Sequence, residues 1–153
     1  MAHINKDLDI TVHVFVVYQN KVLLRKHDKY QHLLGVGGHV ELGEDPNHAA
    51  IREVREEVGL EVKLVNPFSP VIGDDFYRSL VPPVCMNRHT PKPGHDHMDM
   101  IYFAKSTTDK VVQGKTEVSE NIGWYTLEEL ASQTLSIHPV IRAYAQAALS
   151  SVQ

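Results

Sequence analysis

Between Gly37 and Leu60 the sequence reads GGHVELGEDPNHAAIREVREEVGL and carries six carboxylates, five glutamates and Asp45. Three of them, Glu53, Glu56 and Glu57, fall within five residues. On a helix turning roughly 100° per residue they share an arc of about 100° and form one acidic face, opposite or beside the apolar stripe. Like charges so spaced disfavour a bare helix by roughly a few tenths of a kcal/mol per pair. Past the helix midpoint they also oppose the macrodipole, which favours anions near the start. Cation binding is the chemistry that offsets both costs. Clustered carboxylate oxygens are the hard ligands that Mg²⁺ or Mn²⁺ takes, with phosphate oxygens and water completing the shell. A merely solvated acidic face would account for the carboxylates. It would not account for glycines at fixed distances or for Arg52 beside Glu53.

The second group is NRHTPKPGHDHMDM, Asn87 to Met100, in a chain with ten histidines. His95, His97 and Asp99 alternate, so an extended segment puts them on one face. They read as contacts to base, ribose or phosphate together with Arg88, as a loose transition-metal set, or as polar side chains that meet only water. Arg25, at a strand end, reads as a solvated cation or a phosphate contact. Tyr30 reads as a loop residue or a stacking ring, and Trp124 as a packed strand-end residue.

Several elements must position these groups. ITVHVFVVYQNKVLLRKH, Ile10 to His27, is a β-hairpin whose first arm is apolar on both faces, with Gln19-Asn20 at the turn. LLGVGGHVELGEDP reads as a glycine-spaced loop. Asp45 then caps a helix with Pro46 at its first position; the helix runs to about Val58, with Ala50, Ile51, Val54 and Val58 as its apolar stripe and Gly59 as its stop. A half-exposed strand follows with Val62 and Leu64. Phe68 to Gly94, with five prolines, reads as irregular loop. Strands are expected at Met98 to Lys105, at Val111 and Val112, and up to Tyr125. Thr126 and Glu129 form a capping box. His138-Pro139 opens the last helix, with Ile141, Tyr144, Ala145 and Ala148 on one stripe.

The chain has 153 residues, 42% hydrophobic and 22% charged, which fits one mixed α and β domain. A net charge of -4 argues against stable nucleic-acid binding and against an anionic membrane surface. MAHINKDLDI lacks the apolar core of a secretory signal, and no run approaches the roughly 20 apolar residues of a membrane span. The single cysteine, Cys85, suits a reducing compartment. The expectation is a cytoplasmic protein.

Gly38, five residues, Glu44, seven residues, and then REVREEVGL from Arg52 to Leu60 resemble the Nudix box at every signature position: Gly38, Glu44, Arg52, Glu53, Glu56, Glu57 and Gly59, with aliphatic Val54 and Leu60. The order of elements around the box is similar too, so the resemblance extends over residues 1–153 as a single domain. It implies an α+β fold, an α/β/α sandwich in which helices flank a mixed β-sheet. It also implies a Mg²⁺-dependent pyrophosphohydrolase, with Mn²⁺ as a substitute, acting on a small-molecule nucleotide. Carried onto this chain, Glu56 and Glu57 are the principal metal ligands. Glu53 is a further ligand or the group that activates water, and the Gly38 carbonyl reaches the metal. Arg52 belongs to the catalytic set by orienting carboxylates. Gly37, Gly38, His39, Glu44, His97 and Asp99 form the side facing substrate. The general base varies among relatives, and Glu117 and Glu120 are the candidates here.

LLGVGG departs from the Trp-x-Leu-Pro-Gly-Gly of many relatives, with Val36 in place of proline. GVGGHVELGE looks more like MutT-like relatives that act on oxidised or unusual nucleoside triphosphates. A nucleoside triphosphate or modified nucleotide is therefore the first substrate expected. ADP-ribose, a nucleotide sugar or a dinucleoside polyphosphate comes second. A non-catalytic nucleotide sensor on the same fold is the rival from another class, and Glu57→Gln separates the two if the variant stays folded. Many relatives are dimers, so a homodimer is compatible with the resemblance.

Overall fold

The structure is a computed structural model describing residues 7–26, 32–68, 73–74, 76–114 and 118–152. The strands are β1 (Leu8–Tyr18), β2 (Lys21–Lys26), β3 (Leu33–Leu34), β4 (Val36–His39), β5 (Val62–Val65), β6 (Cys85–Lys92), β7 (His95–Ser106) and β8 (Ile122–Tyr125). The helices are α1 (Pro46–Val58), α2 (Leu127–Ala131) and α3 (Pro139–Ser151). The eight strands make one mixed sheet. Its centre is the parallel pair β1 and β7, in register from Leu8–Asp96 to Val17–Lys105.

Alternation along the central strands explains the layers. Val12, Val14 and Val16 of β1, with Tyr102 and Ala104 of β7, pack under Ala49, Ala50, Val54 and Val58 of α1. Phe15 and Val17, with Ile101 and Phe103, pack on the other face under Leu130 of α2 and Ala145 and Ala148 of α3. A strand stretch buried on both faces must be apolar, as β1 is from Val14 to Val17. The α/β/α sandwich is the observed architecture. No helix among the described residues is long and apolar enough to cross a membrane.

The hairpin turn falls at Gln19-Asn20, flanked by the pairs Val17–Val22 and Tyr18–Lys21. With no glycine available, Gln19 itself takes φ 52°. α1 starts on Asp45, whose carboxylate accepts from the Asn47 and His48 N–H groups. It stops at Gly59, φ 66°, whose N–H donates to the Arg55 carbonyl. The capping box of Thr126 and Glu129 is present.

Three expectations need correction. LLGVGG is not loop: it supplies β3 and β4, and β4 pairs antiparallel with β1 from Val14–Val36 to Thr11–His39. Glycine spacing obscured a short strand that has little apolar content to display. The proline-rich segment contains β6, paired with β7 from Cys85–Ile101 to Lys92–His95. Pro91 is tolerated because β6 pairs only with β7 among the described strands, and its register shifts between His89 and Lys92; edges and bulges are where a residue without N–H fits. Val111 and Val112 form no strand. Their segment instead caps α1, with the Val112 N–H on the Val58 carbonyl at 2.9 Å and the Gly114 N–H on the Glu57 carbonyl at 3.2 Å. These carbonyls lie in the last turn, where no intrahelical donor remains.

β2 and β4 succeed each other along one edge of β1, while β5 and β6 do so along one edge of β7. One half of the sheet is thus the four-strand set β4-β1-β7-β6, and its outer end is where the polar residues gather.

Candidate active site

Arg52 is the hub of the α1 carboxylates. Its Nε and Nη2 donate to the two oxygens of Glu44 at 2.9 and 3.0 Å. Nη1 donates to Glu53 at 2.8 Å and to Glu56 at 3.2 Å, and Nη2 also donates to the His39 carbonyl at 3.0 Å. Those contacts match the five N–H donors of a guanidinium. The bidentate hold on Glu44 is the strong geometry for an Arg–carboxylate pair. The Arg52 bond holds the Glu44 carboxyl below its usual range against a smaller opposing effect of burial. The same contact is the main reason Arg52 holds its proton more tightly than a free arginine. The Glu41 N–H donates to Glu44 as well, fixing the loop to this cluster.

The three box glutamates do not form one exposed face. The Glu56 side chain is 61% exposed, Glu53 is largely covered, and Glu57 is only 4% exposed. Glu57 bonds Arg25, itself 5% exposed, through a short Nη2 contact. Its other oxygen accepts from the Gly37 N–H at 3.2 Å. Arg25 also donates to the Ser119 hydroxyl at 3.3 Å. A helical arc of about 100° is wide enough to straddle the boundary between core and solvent. The acidic face is therefore split, and Arg25 is a buried partner rather than a solvated strand end.

Gly38 is required by close approach. A Cβ there would stand 2.6 Å from Glu53 Cδ, inside contact distance of the carboxylate. This brings a backbone segment against the Glu53 side chain without a side chain between them. The donor set of Glu53, Glu56, Glu57 and a neighbouring carbonyl is all hard oxygen, which fits a divalent cation of the Mg²⁺ type. Gly38→Ala is expected to cut kcat/KM by about 10- to 100-fold by displacing Glu53, since misplacement of about 1 Å has effects of that order. Overpacking should cost only about 1–3 kcal/mol. Kinetics beside a melting curve would check it: a loss of activity matched by unfolding would contradict the placement argument.

Below β4 lies a cleft of about 460 Å³ lined by Asp9, Thr11, His13, Arg25, Gly37, Gly38, His39, His89, His95, His97 and Asp99 among others. Gly37, Gly38, His39, His97 and Asp99 are thus brought to one cavity, whereas Glu44 stands behind Arg52. Asp99 is not on offer to a metal beside His95 and His97. Its oxygens take the Thr11 hydroxyl at 3.0 Å and His13 Nδ1 at 3.3 Å. Burial alone would raise its pKa, but His13 and Thr11 hold it below the ordinary aspartate value. Burial, and then the charges of His39, His89 and His95, push His97 below the ordinary histidine value. A second cavity of about 480 Å³, lined by His13, Leu34, Ile141 and Tyr144, shares His13, Leu34, His89, Pro91 and Asp99 with the first.

Glu120 is exposed just before β8, while Glu117 and Tyr30 lie outside the described residues. Trp124 packs against the α1-side core and donates to the Asp109 carbonyl at 3.0 Å. Arg25, Thr11, His13 and Asp9 are the partners sequence reasoning missed. Only Arg25 carried a signal: it directly follows three apolar residues in a doubly covered strand, where a charge needs a mate.

The family described as the NUDIX domain matches residues 7–145. A Lactococcus lactis protein named "Probable DHNTP pyrophosphohydrolase" is 31% identical over 100 residues, 65% of this chain and 55% of that protein. The match therefore spans little more than half of that relative's length. Among solved structures, a hydrolase of the NUDIX family from Clostridium perfringens is 32% identical, with a TM-score of 0.84 over 98% of this chain and 100% of its own. A MutT NUDIX hydrolase from Burkholderia pseudomallei shares the fold at 18% identity, with a TM-score of 0.66 over 97% of this chain and 100% of its own.

Proposed function

From the premise that this chain belongs to the NUDIX hydrolase family, whose members act on pyrophosphate bonds, we propose that it is a Mg²⁺-dependent pyrophosphohydrolase of a nucleoside triphosphate or modified nucleotide. The observation that carries the reading is the Arg52-centred carboxylate cluster pressed against Gly38, a residue that also lines the cleft. Glu53, Glu56, Glu57 and the Gly38 carbonyl hold the cation, with Mn²⁺ as a substitute. When bound, such an ion neutralises phosphate charge and lowers the pKa of its water.

The chain's own residues do the rest. Arg52 keeps Glu44 ionised and, through its bonds to Glu53 and Glu56, fixes their rotamers. Gly37, Gly38 and His39 admit the diphosphate close to the backbone of β4. His97 and Asp99, with His13, line the path into the adjoining cavity, where Ile141 and the Tyr144 ring suit a flat heterocycle. Glu120 or Glu117 takes the proton from the attacking water. The Lactococcus relative's name supports placing DHNTP beside nucleoside triphosphates as a candidate substrate.

The test is phosphate or pyrophosphate release with Mg²⁺ over a panel of DHNTP, ordinary and oxidised dNTPs, ADP-ribose, nucleotide sugars and dinucleoside polyphosphates. One triphosphate should dominate, and EDTA should abolish its turnover. Preference for ADP-ribose or a nucleotide sugar would overturn the substrate class. No turnover anywhere, with nucleotides still raising the melting temperature, would make the chain a sensor.

A further inference from the structure

We propose that Asp9, His95 and His97 form a second metal site, for an ion of the Zn²⁺ class, on the sheet face opposite α1. One donor atom from each lies within 4.8 Å of the others. Asp9 Oδ2 is 3.0 Å from His95 Nε2 and 3.3 Å from His39 Nε2. Ligand atoms about 2.0–2.1 Å from a tetrahedral zinc stand roughly 3.4 Å apart, so small side-chain adjustments close the set. The residues come together through register. Asp9 pairs with His97 across the parallel β1 and β7, and His89 of β6 pairs with His97 from the other side. The rings of His39, His89 and His95 pack edge-on to His97 with centroids 5.1, 5.2 and 5.2 Å away.

Four clustered imidazoles, three of them beside the Asp9 carboxylate, repel one another once protonated, which is a poor way to build a plain surface. A shared cation replaces those protons with one favourable charge. The donor types set the selectivity. Imidazole favours Zn²⁺, Ni²⁺ and Cu²⁺, whereas Mg²⁺ requires oxygen ligands, so this site and the α1 carboxylates would not compete for one ion. The set also differs from the one read off the sequence, because Asp9 stands where alternation put Asp99. All three residues line the cleft, and three protein ligands leave a coordination position open to it. The inference is independent of the reaction proposed above.

The test is a calorimetric titration of the EDTA-stripped full chain with Zn²⁺ in millimolar Mg²⁺, repeated with Co²⁺ and read by its visible absorption. One equivalent should bind at micromolar affinity or tighter, with the intense absorption of tetrahedral Co²⁺. His97→Ala should weaken it by about 100-fold, or about 2.7 kcal/mol, and Glu56→Gln should leave it unchanged. His95→Gln, which keeps bulk in the strand, should weaken binding while its melting curve stays near that of the parent. Displacement by Mg²⁺ would overturn the site, as would Zn²⁺ binding that survives His97→Ala and His95→Gln or disappears in Glu56→Gln.

Discussion

Glu56→Gln should lower turnover by at least about 100-fold while leaving the melting temperature within a few degrees of the parent. The two halves of that expectation come from different magnitudes. In the fold, Glu56 is mostly exposed and accepts one hydrogen bond, from Arg52 at 3.2 Å. Exposed pairs of this kind contribute about 0–1 kcal/mol, and the amide keeps an oxygen that can still accept from Arg52. For the chemistry, a lost carboxylate removes one full charge from the proposed cation site. A loss of about 3 kcal/mol of transition-state stabilisation already corresponds to roughly a hundredfold in rate. Steady-state kinetics at saturating Mg²⁺, beside thermal denaturation, reads both. Unchanged kcat would remove Glu56 from the cation site. A collapse in stability would mean that its bond to Arg52 holds the fold rather than the chemistry.

Glu57→Gln, the obvious substitution on sequence grounds, is the less informative experiment. Sequence places Glu57 beside Glu56 on a helix, and adjacency alone gives the two the same standing. The structure separates them, because successive residues differ by about 100° and the core boundary runs between them. What makes Glu57 structural as well is Arg25, 32 residues earlier, and no local pattern encodes that pairing. The box was legible because loop, cap and stop are local: Asp45-Pro46 and Gly59 mark α1, and the spacing of Gly38, Glu44 and Arg52 marks the cluster. The cleft was not. Asp9, Thr11 and His13 lie 86 to 88 residues from their side-chain partners His95 and Asp99 on β7, and only the parallel pairing of β1 with β7 brings them together. β4 and β6 were obscured for a related reason. Glycine and proline depress strand propensity, and it is the neighbouring strand, absent from any short window, that supplies the hydrogen bonds.

Arg25→Leu should destabilise the fold by about 3–5 kcal/mol, the cost of leaving a buried carboxylate without its partner. Against a total of about 5–15 kcal/mol for a domain, that brings the protein near its threshold. The melting temperature should fall by roughly 6–20 °C, at about 2–4 °C per kcal/mol for a domain of this size. The cause would be an orphaned charge, not lost packing, since leucine retains much of the apolar contact. Glu57→Gln added to Arg25→Leu should therefore recover part of the loss, because a neutral amide can still accept from the Gly37 N–H and carries no charge to desolvate. A double-mutant cycle by chemical denaturation measures the coupling, expected at about 1–3 kcal/mol and favouring the intact pair or the doubly neutral one over either single variant. Additive losses would show that Arg25 and Glu57 act separately, Arg25 through Ser119 and Glu57 through Gly37. Coupling without recovered activity is the further expectation. The pair fixes β2 and β4 against α1, but only the ionised carboxylate can serve the cation site, so stability should return in the double variant while turnover does not.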